Sequence, residues 1–118
     1  MIKLFVPYMP PNWNDYINME RGNKYKANKL KQDEKKYMQM IASAIKYTED
    51  YPVQLTLRPH FKGQRQDLDN FRYKGLLDGL VVAGVLKNDN LKHIQRIVID
   101  PVFDSAEGVE IEIRELEK

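Results

Sequence analysis

Two aspartates one residue apart, Asp67 and Asp69, have the type and spacing of residues that bind a metal ion. They stand between a predicted strand and a predicted helix, where irregular backbone lets both carboxylates converge on one cation. Hard cations such as Mg²⁺ take oxygen ligands, typically one or two carboxylates with water and substrate phosphate. The chain has no cysteine, which excludes thiolate metal sites and cysteine nucleophiles. The pair therefore indicates an oxygen-ligated metal, although either aspartate alone also suits a helix N-cap that accepts a backbone N–H.

A polar stripe follows the two aspartates. Asn70, Lys74 and Asp78 recur every four residues on a predicted helix that is otherwise largely apolar, so they share one face. Asp89 returns in a polar loop beyond that helix, and it reaches the same site only if the third strand lies beside the second. Lys74 and Asp78 also suit an ordinary exposed ion pair, and residues 88–90 an ordinary turn. Their combination with the two aspartates favours a functional site.

The hydrophobic pattern predicts the elements that position these side chains. It indicates a mixed α/β (α+β) fold in the order β-α-β-α-β-β, with a small mixed sheet and two main helices. The predicted strands are residues 2–6, 53–58, 93–102 and 108–114, and the predicted helices are about 28–48 and 68–83. Asn28 is the expected cap of the first helix, Gly84 is expected to end the second, and the last two strands are expected to form a hairpin. Residues 12–26 show neither period and predict a loop.

The length and the charge distribution of the chain limit the number of domains and the kind of partner. At 118 residues the chain fits one domain, residues 1–118. Residues 1–99 carry 17 Lys and Arg against 10 Asp and Glu, and residues 100–118 carry 2 against 7. A basic body suits a polyanionic partner, because lysines and arginines near phosphates release condensed counterions. We expect a cytoplasmic location, because the apolar stretches are shorter than a membrane span and the start lacks the apolar run of a secretory signal.

The order of these motifs resembles the signature of the RusA-like Holliday junction resolvases, the crossover junction endodeoxyribonucleases. That signature is a D-L-D-N followed by a lysine, a D-A-L, a glycine and a D-D pair. The matching residues here are Asp67-Leu68-Asp69-Asn70, Lys74, Leu77-Asp78-Gly79-Leu80, Gly84 and Asn88-Asp89. The start of the chain is similar to the family's P-P-S-x-N loop, through Pro10-Pro11-Asn12, Asn14, Tyr16 and Arg21.

The resemblance implies a dimeric, Mg²⁺-dependent endonuclease, with Mn²⁺ as a substitute, that cuts four-way DNA junctions in recombination and repair. It implies that Asp67, Asp69 and Asp89 hold one or two metal ions for hydrolysis of a phosphodiester. It also implies that Lys74 stabilises charge on the reacting phosphate. The catalytic set is then Asp67, Asp69, Lys74 and Asp89.

The resemblance and the basic residues also suggest a DNA-contacting set. Its members are Asn14, Arg21, Lys24, Lys26, Lys62, Arg65 and Asn70. Trp13, Tyr16 and Tyr25 are candidates to stack on unpaired bases. For Trp13, packing in the core or in an interface is an equally open interpretation.

The chain departs from the family pattern in two places. Lys74 stands four residues after Asn70 rather than three, which on an uninterrupted helix rotates it by about 100°. Arg72 therefore competes for the role of the lysine. Asn88 replaces the first acid of the D-D pair, which keeps an oxygen ligand but removes a charge. Two alternatives follow: a catalytically weakened protein that binds branched DNA, and a metal-dependent enzyme of another phosphoryl-transfer type.

Overall fold

The computed structural model describes residues 1–42, 45, 52–61, 70–87 and 90–116. Three helices and a mixed sheet of five strands lie in these residues, which confirms the mixed α/β class. Contacts divide the chain into two compact units. The sheet unit comprises residues 1–9, 47–65 and 86–118, and the helical unit comprises residues 10–46 and 66–85.

The sheet unit combines antiparallel and parallel strand pairs. Its strands are β1 (Ile2–Val6), β2 (Val53–Phe61), β3 (Ile94–Ile99), β4 (Val102–Phe103) and β5 (Gly108–Glu115). The order is β1-β5-β2-β3, and β4 also pairs with β2. β5 is antiparallel to both β1 and β2, whereas β3 and β4 are parallel to β2.

The predicted hairpin of the last two long strands is wrong. β3 and β4 lie along one side of β2, and β5 lies along the other side. The segment that connects β4 to β5 passes the end of β2. There the backbone N–H of Asp104 donates to the carbonyl of Phe61 at 3.1 Å. In its central place β5 buries Val109, Ile111 and Ile113, which are at most 2% exposed. The predicted alternation of β5 is therefore confirmed, and the gain from burying those side chains explains its position between two partners.

The helical unit begins where the sequence predicts a loop, and that prediction is wrong. α1 (Trp13–Gly22) and α2 (Lys24–Ala42) occupy this region. Two asparagines of this region, Asn12 and Asn23, are helix caps. The side-chain oxygen of Asn12 accepts the N–H of Asp15 at 2.8 Å, and the side-chain oxygen of Asn23 accepts the N–H of Tyr25 at 3.0 Å. Asn23 is extended, with φ −160° and ψ 98°, so it ends α1 before α2 begins.

The boundaries of the other predicted helices also shift. α2 starts at Lys24 rather than at residue 28, so the capping role falls to Asn23 and the prediction of Asn28 as cap is wrong. α3 (Lys74–Val82) starts later than predicted. Its predicted end is confirmed, because Gly84 adopts φ +80°.

The end of α3 has the hydrogen bonds of a Schellman motif. The N–H of Val85 donates to the carbonyl of Leu80, and the N–H of Gly84 donates to the carbonyl of Val81, each at 3.0 Å. Val85 and Leu80 are both fully buried. Burial of these two apolar side chains accompanies the hydrogen bonds at the end of the helix.

Glycines allow α3 to pack closely on α2. A Cβ atom on Gly75 would lie 2.7 Å from Oε1 of Glu34, and one on Gly79 would overlap the side chain of Met38. Gly75 and Gly79 are one turn apart on α3, and their neighbours on α2 are also one turn apart. Met38 is 1% exposed. The close neighbours of both glycines are side chains of α2. No helix in the described residues is long and apolar enough to cross a membrane.

Candidate active site

The predicted catalytic residues divide between described and undescribed parts of the chain. Asp67, Asp69 and Asp89 lie outside the described residues, as do Lys62 and Arg65. The described part of the site is therefore the region around Lys74 in the helical unit. It includes the remaining predicted residues Asn14, Arg21, Lys24, Lys26 and Asn70.

A hydrogen bond joins the two motifs of the helical unit. The side-chain oxygen of Asn70 accepts the backbone N–H of Asn14 at 3.1 Å, across 56 residues of sequence. Asn14 is the second residue of α1, directly after Trp13. The start of α1 is thus attached to the D-L-D-N motif, and two residues predicted to contact DNA lie together.

Lys74 is the first residue of α3, and its side chain is 60% exposed. Its ammonium group lies 3.7 Å from Oδ1 of Asp78, one turn along the helix. Residues 71–73 precede the helix, and the N–H of Tyr73 donates to the carbonyl of Phe71 at 3.1 Å. The extra residue before Lys74 therefore lies in non-helical backbone, and the rotation expected on an uninterrupted helix does not apply.

Arg72 is buried and engaged on several sides. Its Nη2 lies 2.6 Å from Oε2 of Glu34, and the two side chains are 2% and 4% exposed. Its Nε donates to the carbonyl of Pro11 at 3.0 Å, and the guanidinium lies 4.7 Å from the centre of the Tyr16 ring. These contacts join the start of α1, the middle of α2 and the segment before α3. A guanidinium held in this way is a structural clamp rather than a group that can reach a phosphate.

A cavity of about 360 Å³ opens beside Lys74 within the helical unit. The buried pair of Arg72 and Glu34 forms part of its lining. Further lining residues come from all three helices: Trp13, Ile17, Lys31, Lys35, Lys74 and Asp78. The cavity thus combines aromatic and apolar surface with several charged side chains.

The aromatic residues of α1 have different environments. Trp13 is half-buried and meets Tyr16 edge-to-face, with ring centres 6.1 Å apart. Tyr16 is 4% exposed, which leaves it no free face for a base. The Lys31 ammonium lies 5.4 Å from the centre of the Tyr16 ring, and the nearby Tyr16 side chain raises the pKa of Lys31. Tyr25, in the first turn of α2, is 77% exposed.

The remaining predicted basic residues surround the junction of α1 and α2. Arg21 lies in the last turn of α1, and Lys24 and Lys26 lie in the first turn of α2. All three are exposed. They form a basic corner around the capping residue Asn23.

A family model described as Endodeoxyribonuclease RusA matches residues 7–114 of the 118-residue chain. The chain belongs to the RusA endodeoxyribonuclease family. This family resolves Holliday junctions, and its resolvases generally depend on a divalent metal ion. Comparison with individual curated proteins finds no match. The match confirms the RusA resemblance that the sequence motifs indicated.

The metal ligands expected of a RusA-family chain are not among the described residues, which contain no group of three or more His, Cys, Asp and Glu side chains able to hold a metal ion. The expected ligands are carboxylates, and carboxylate oxygens suit Mg²⁺. Asp89 can reach the site only if the third long strand lies beside the second, and the sheet unit meets this condition. β3, which begins five residues after Asp89, pairs with β2 from Val53 onward.

Basic side chains on the two strands next to β5 balance part of the negative charge of that strand. Glu112 of β5 accepts from Arg58 at 2.9 Å and lies 3.3 Å from the Lys3 ammonium. The Arg58 guanidinium and then Lys3 lower the pKa of Glu112. Glu112 therefore forms ion pairs with both strands that flank β5.

A buried histidine adds a second ionic group at the end of β2. Nδ1 of His60 lies 3.0 Å from both carboxylate oxygens of Asp104, and its Nε2 lies 3.2 Å from Oε1 of Glu110. The Asp104 carboxylate, with Glu110, raises the pKa of His60. These contacts give His60 a structural role at the end of β2. The cluster was not apparent from sequence spacing, because its three members lie on separate segments.

Proposed function

We propose that this chain is a metal-dependent, structure-specific endodeoxyribonuclease that resolves four-way DNA junctions by hydrolysis of phosphodiesters. The family match over residues 7–114 carries this proposal, because it spans both motifs and all four proposed catalytic positions. The bond between Asn14 and Asn70 supports it, since it joins those motifs in one place.

Three carboxylates have the role of metal ligands in this proposal. Asp67, Asp69 and Asp89 would hold Mg²⁺, for which Mn²⁺ would substitute. The ion would supply activation of water and stabilisation of the leaving oxygen. The three carboxylates would otherwise repel both one another and the DNA backbone.

Lys74 positions the scissile phosphate and stabilises its developing charge. Its exposure and its position at the start of α3 support this role. The ion pair with Asp78 is long and solvated, so it contributes little and a phosphate can replace it. Burial of the Arg72 guanidinium against Glu34 favours Lys74 over Arg72 for this role.

The basic corner of Arg21, Lys24 and Lys26 contacts DNA phosphates together with Lys62 and Arg65. Contacts of this kind position the duplex without reading sequence, and they weaken as the salt concentration rises. Resolution of a junction requires cleavage of two opposed strands. A two-fold homodimer supplies two sites with the required symmetry.

Cleavage of labelled DNA tests the proposal. Wild type, Asp69→Asn and Asp33→Asn are incubated with a four-way junction, a linear duplex and a splayed duplex, in Mg²⁺ and in Mn²⁺. Asp33 is exposed on α2 and provides the same chemical change away from the motifs. We expect wild type and Asp33→Asn to cut the junction preferentially. We expect Asp69→Asn to cut at least about 100-fold more slowly, since even outer-shell changes at metal sites cost 10- to 100-fold.

Two results would refute the mechanism: an intact junction with wild type in both metals, or equal cleavage by Asp69→Asn. Binding of the junction without cleavage would favour the alternative of a catalytically weakened branched-DNA-binding protein. Cleavage of mononucleotides but not of branched DNA would favour another phosphoryl-transfer enzyme.

A further inference from the structure

The cavity beside Lys74 has no role in the hydrolysis itself. We propose that it receives one unstacked base of the DNA strand whose phosphate Lys74 contacts, with the indole of Trp13 as the stacking surface. This inference rests on the proposed function, because Lys74 defines which phosphate lies next to the base. It adds a base-binding subsite to the cleavage site.

The size and lining of the cavity suit a planar aromatic group. Its volume of about 360 Å³ falls within the range of small-ligand sites, about 300–1,000 Å³. Trp13 and Ile17 supply aromatic and apolar surface, while charged side chains lie around them. This combination binds the face of a base and leaves its polar edge near hydrogen-bonding groups.

Trp13 is held firmly enough to serve as a stacking surface. It is the first residue of α1, directly after the capping residue Asn12, and the next residue, Asn14, is bound to Asn70. Tyr16 contacts its ring edge-to-face with an interplanar angle of 82°. An aromatic side chain fixed on both sides loses little conformational entropy when a base stacks on it.

The charges of the lining favour a ligand with flanking phosphates. Four basic and three acidic side chains line the cavity: Lys31, Lys35, Arg72 and Lys74, and Glu20, Glu34 and Asp78. Arg72 and Glu34 neutralise each other in the buried part. Lys31 and Lys35 are one turn apart on α2, so they share the face that borders the cavity. They can contact phosphates on either side of the inserted base.

The intrinsic fluorescence of the protein tests this proposal directly, because Trp13 is the single tryptophan. The full chain in EDTA, where no cleavage occurs, is titrated with a ten-nucleotide oligothymidylate. The matched ligand is an abasic oligonucleotide with the same number of phosphates. We expect quenching of Trp13 by the thymidylate and about 10-fold weaker binding of the abasic strand, in keeping with the measured contribution of one stacked base. Equal quenching by both strands would overturn the proposal.

Variants provide a second readout by anisotropy of labelled strands. We expect Trp13→Leu to bind oligothymidylate about 10-fold more weakly and the abasic strand as wild type does, with partial recovery in Trp13→Phe. Phe103→Leu removes an exposed aromatic of the sheet unit that is outside the cavity lining and serves as the control. An equal loss for both strands in Trp13→Leu would contradict base stacking. If Trp13→Leu does not fold, the titration of wild type still decides.

Further outcomes separate this proposal from the proposed function. Thymidine monophosphate that quenches at lower concentration than the oligonucleotide would assign the cavity to a free nucleotide and overturn the proposal. Cleavage of the junction by wild type without base-dependent quenching would refute the subsite alone. Base-dependent quenching without cleavage would refute the nuclease proposal while supporting the subsite.

Discussion

Arg72 and Lys74 are two residues apart, and we predict that they serve different purposes. Loss of Arg72 should lower the stability of the fold, whereas loss of Lys74 should lower the rate of cleavage. Arg72→Met removes the guanidinium that faces Glu34 at 2.6 Å, with both side chains at most 4% exposed. Removal of one partner of a buried ion pair costs about 3–5 kcal/mol. The lost hydrogen bond to Pro11 adds about 1 kcal/mol. Since domains of this size unfold with about 5–15 kcal/mol, Arg72→Met should lose about a quarter or more of the stability.

Lys74→Met should leave stability nearly unchanged. The side chain is 60% exposed, and its pair with Asp78 at 3.7 Å is of a kind worth about 0.5 kcal/mol or less. If Lys74 stabilises the reacting phosphate, cleavage of the junction should fall about 100- to 1,000-fold. Urea denaturation followed by circular dichroism measures the first effect. Single-turnover cleavage, at a temperature where all variants are folded, measures the second.

A double variant separates the clamp from the chemistry. Replacement of both buried partners by apolar residues, as in Arg72→Met with Glu34→Leu, should recover most of the lost stability. Cleavage should recover with it, because Lys74 is intact. The reasoning fails if Arg72→Met is as stable as wild type yet does not cut, since Arg72 would then fill the role of the lysine. It also fails if Lys74→Met cuts as fast as wild type.

Two further predictions concern stability. Gly79→Ala should destabilise by about 1–3 kcal/mol through overlap with Met38. Gly22→Ala, with nothing within 4 Å, should be neutral or stabilise by up to about 1 kcal/mol; equal effects in thermal melts would contradict the packing argument. The second prediction concerns pH. Asp104 raises the pKa of His60 above 6.5, and His60 lowers the pKa of Asp104 below 3.8. The pair therefore stabilises most between these values: its contribution falls as pH rises through the His60 pKa and as pH drops through the Asp104 pKa. The difference in free energy of unfolding between wild type and Asp104→Asn should be larger at pH 6 than at pH 8.5, and the reverse order would refute the assignment.

The sequence by itself determined the features that depend on near neighbours. The alternation of Val109, Ile111 and Ile113 predicted a strand with one buried face, and Gly84 predicted the end of a helix. The D-L-D-N motif and its followers indicated the RusA family, which the match over residues 7–114 confirms. The caps Asn12 and Asn23 were also local signals, but asparagine favours loops and helix starts alike, so the two helices they begin were missed.

Only the tertiary structure decided which distant residues meet. The partner of Arg72 is Glu34, 38 residues away, and no local period indicates that pairing. The partner of Asn70 is Asn14, 56 residues away. β5 lies between β1 and β2 rather than beside β3, where its backbone pairs along both edges and its apolar face is buried. Contacts of this kind depend on the packing of the assembled core, which neighbouring residues in the sequence do not encode.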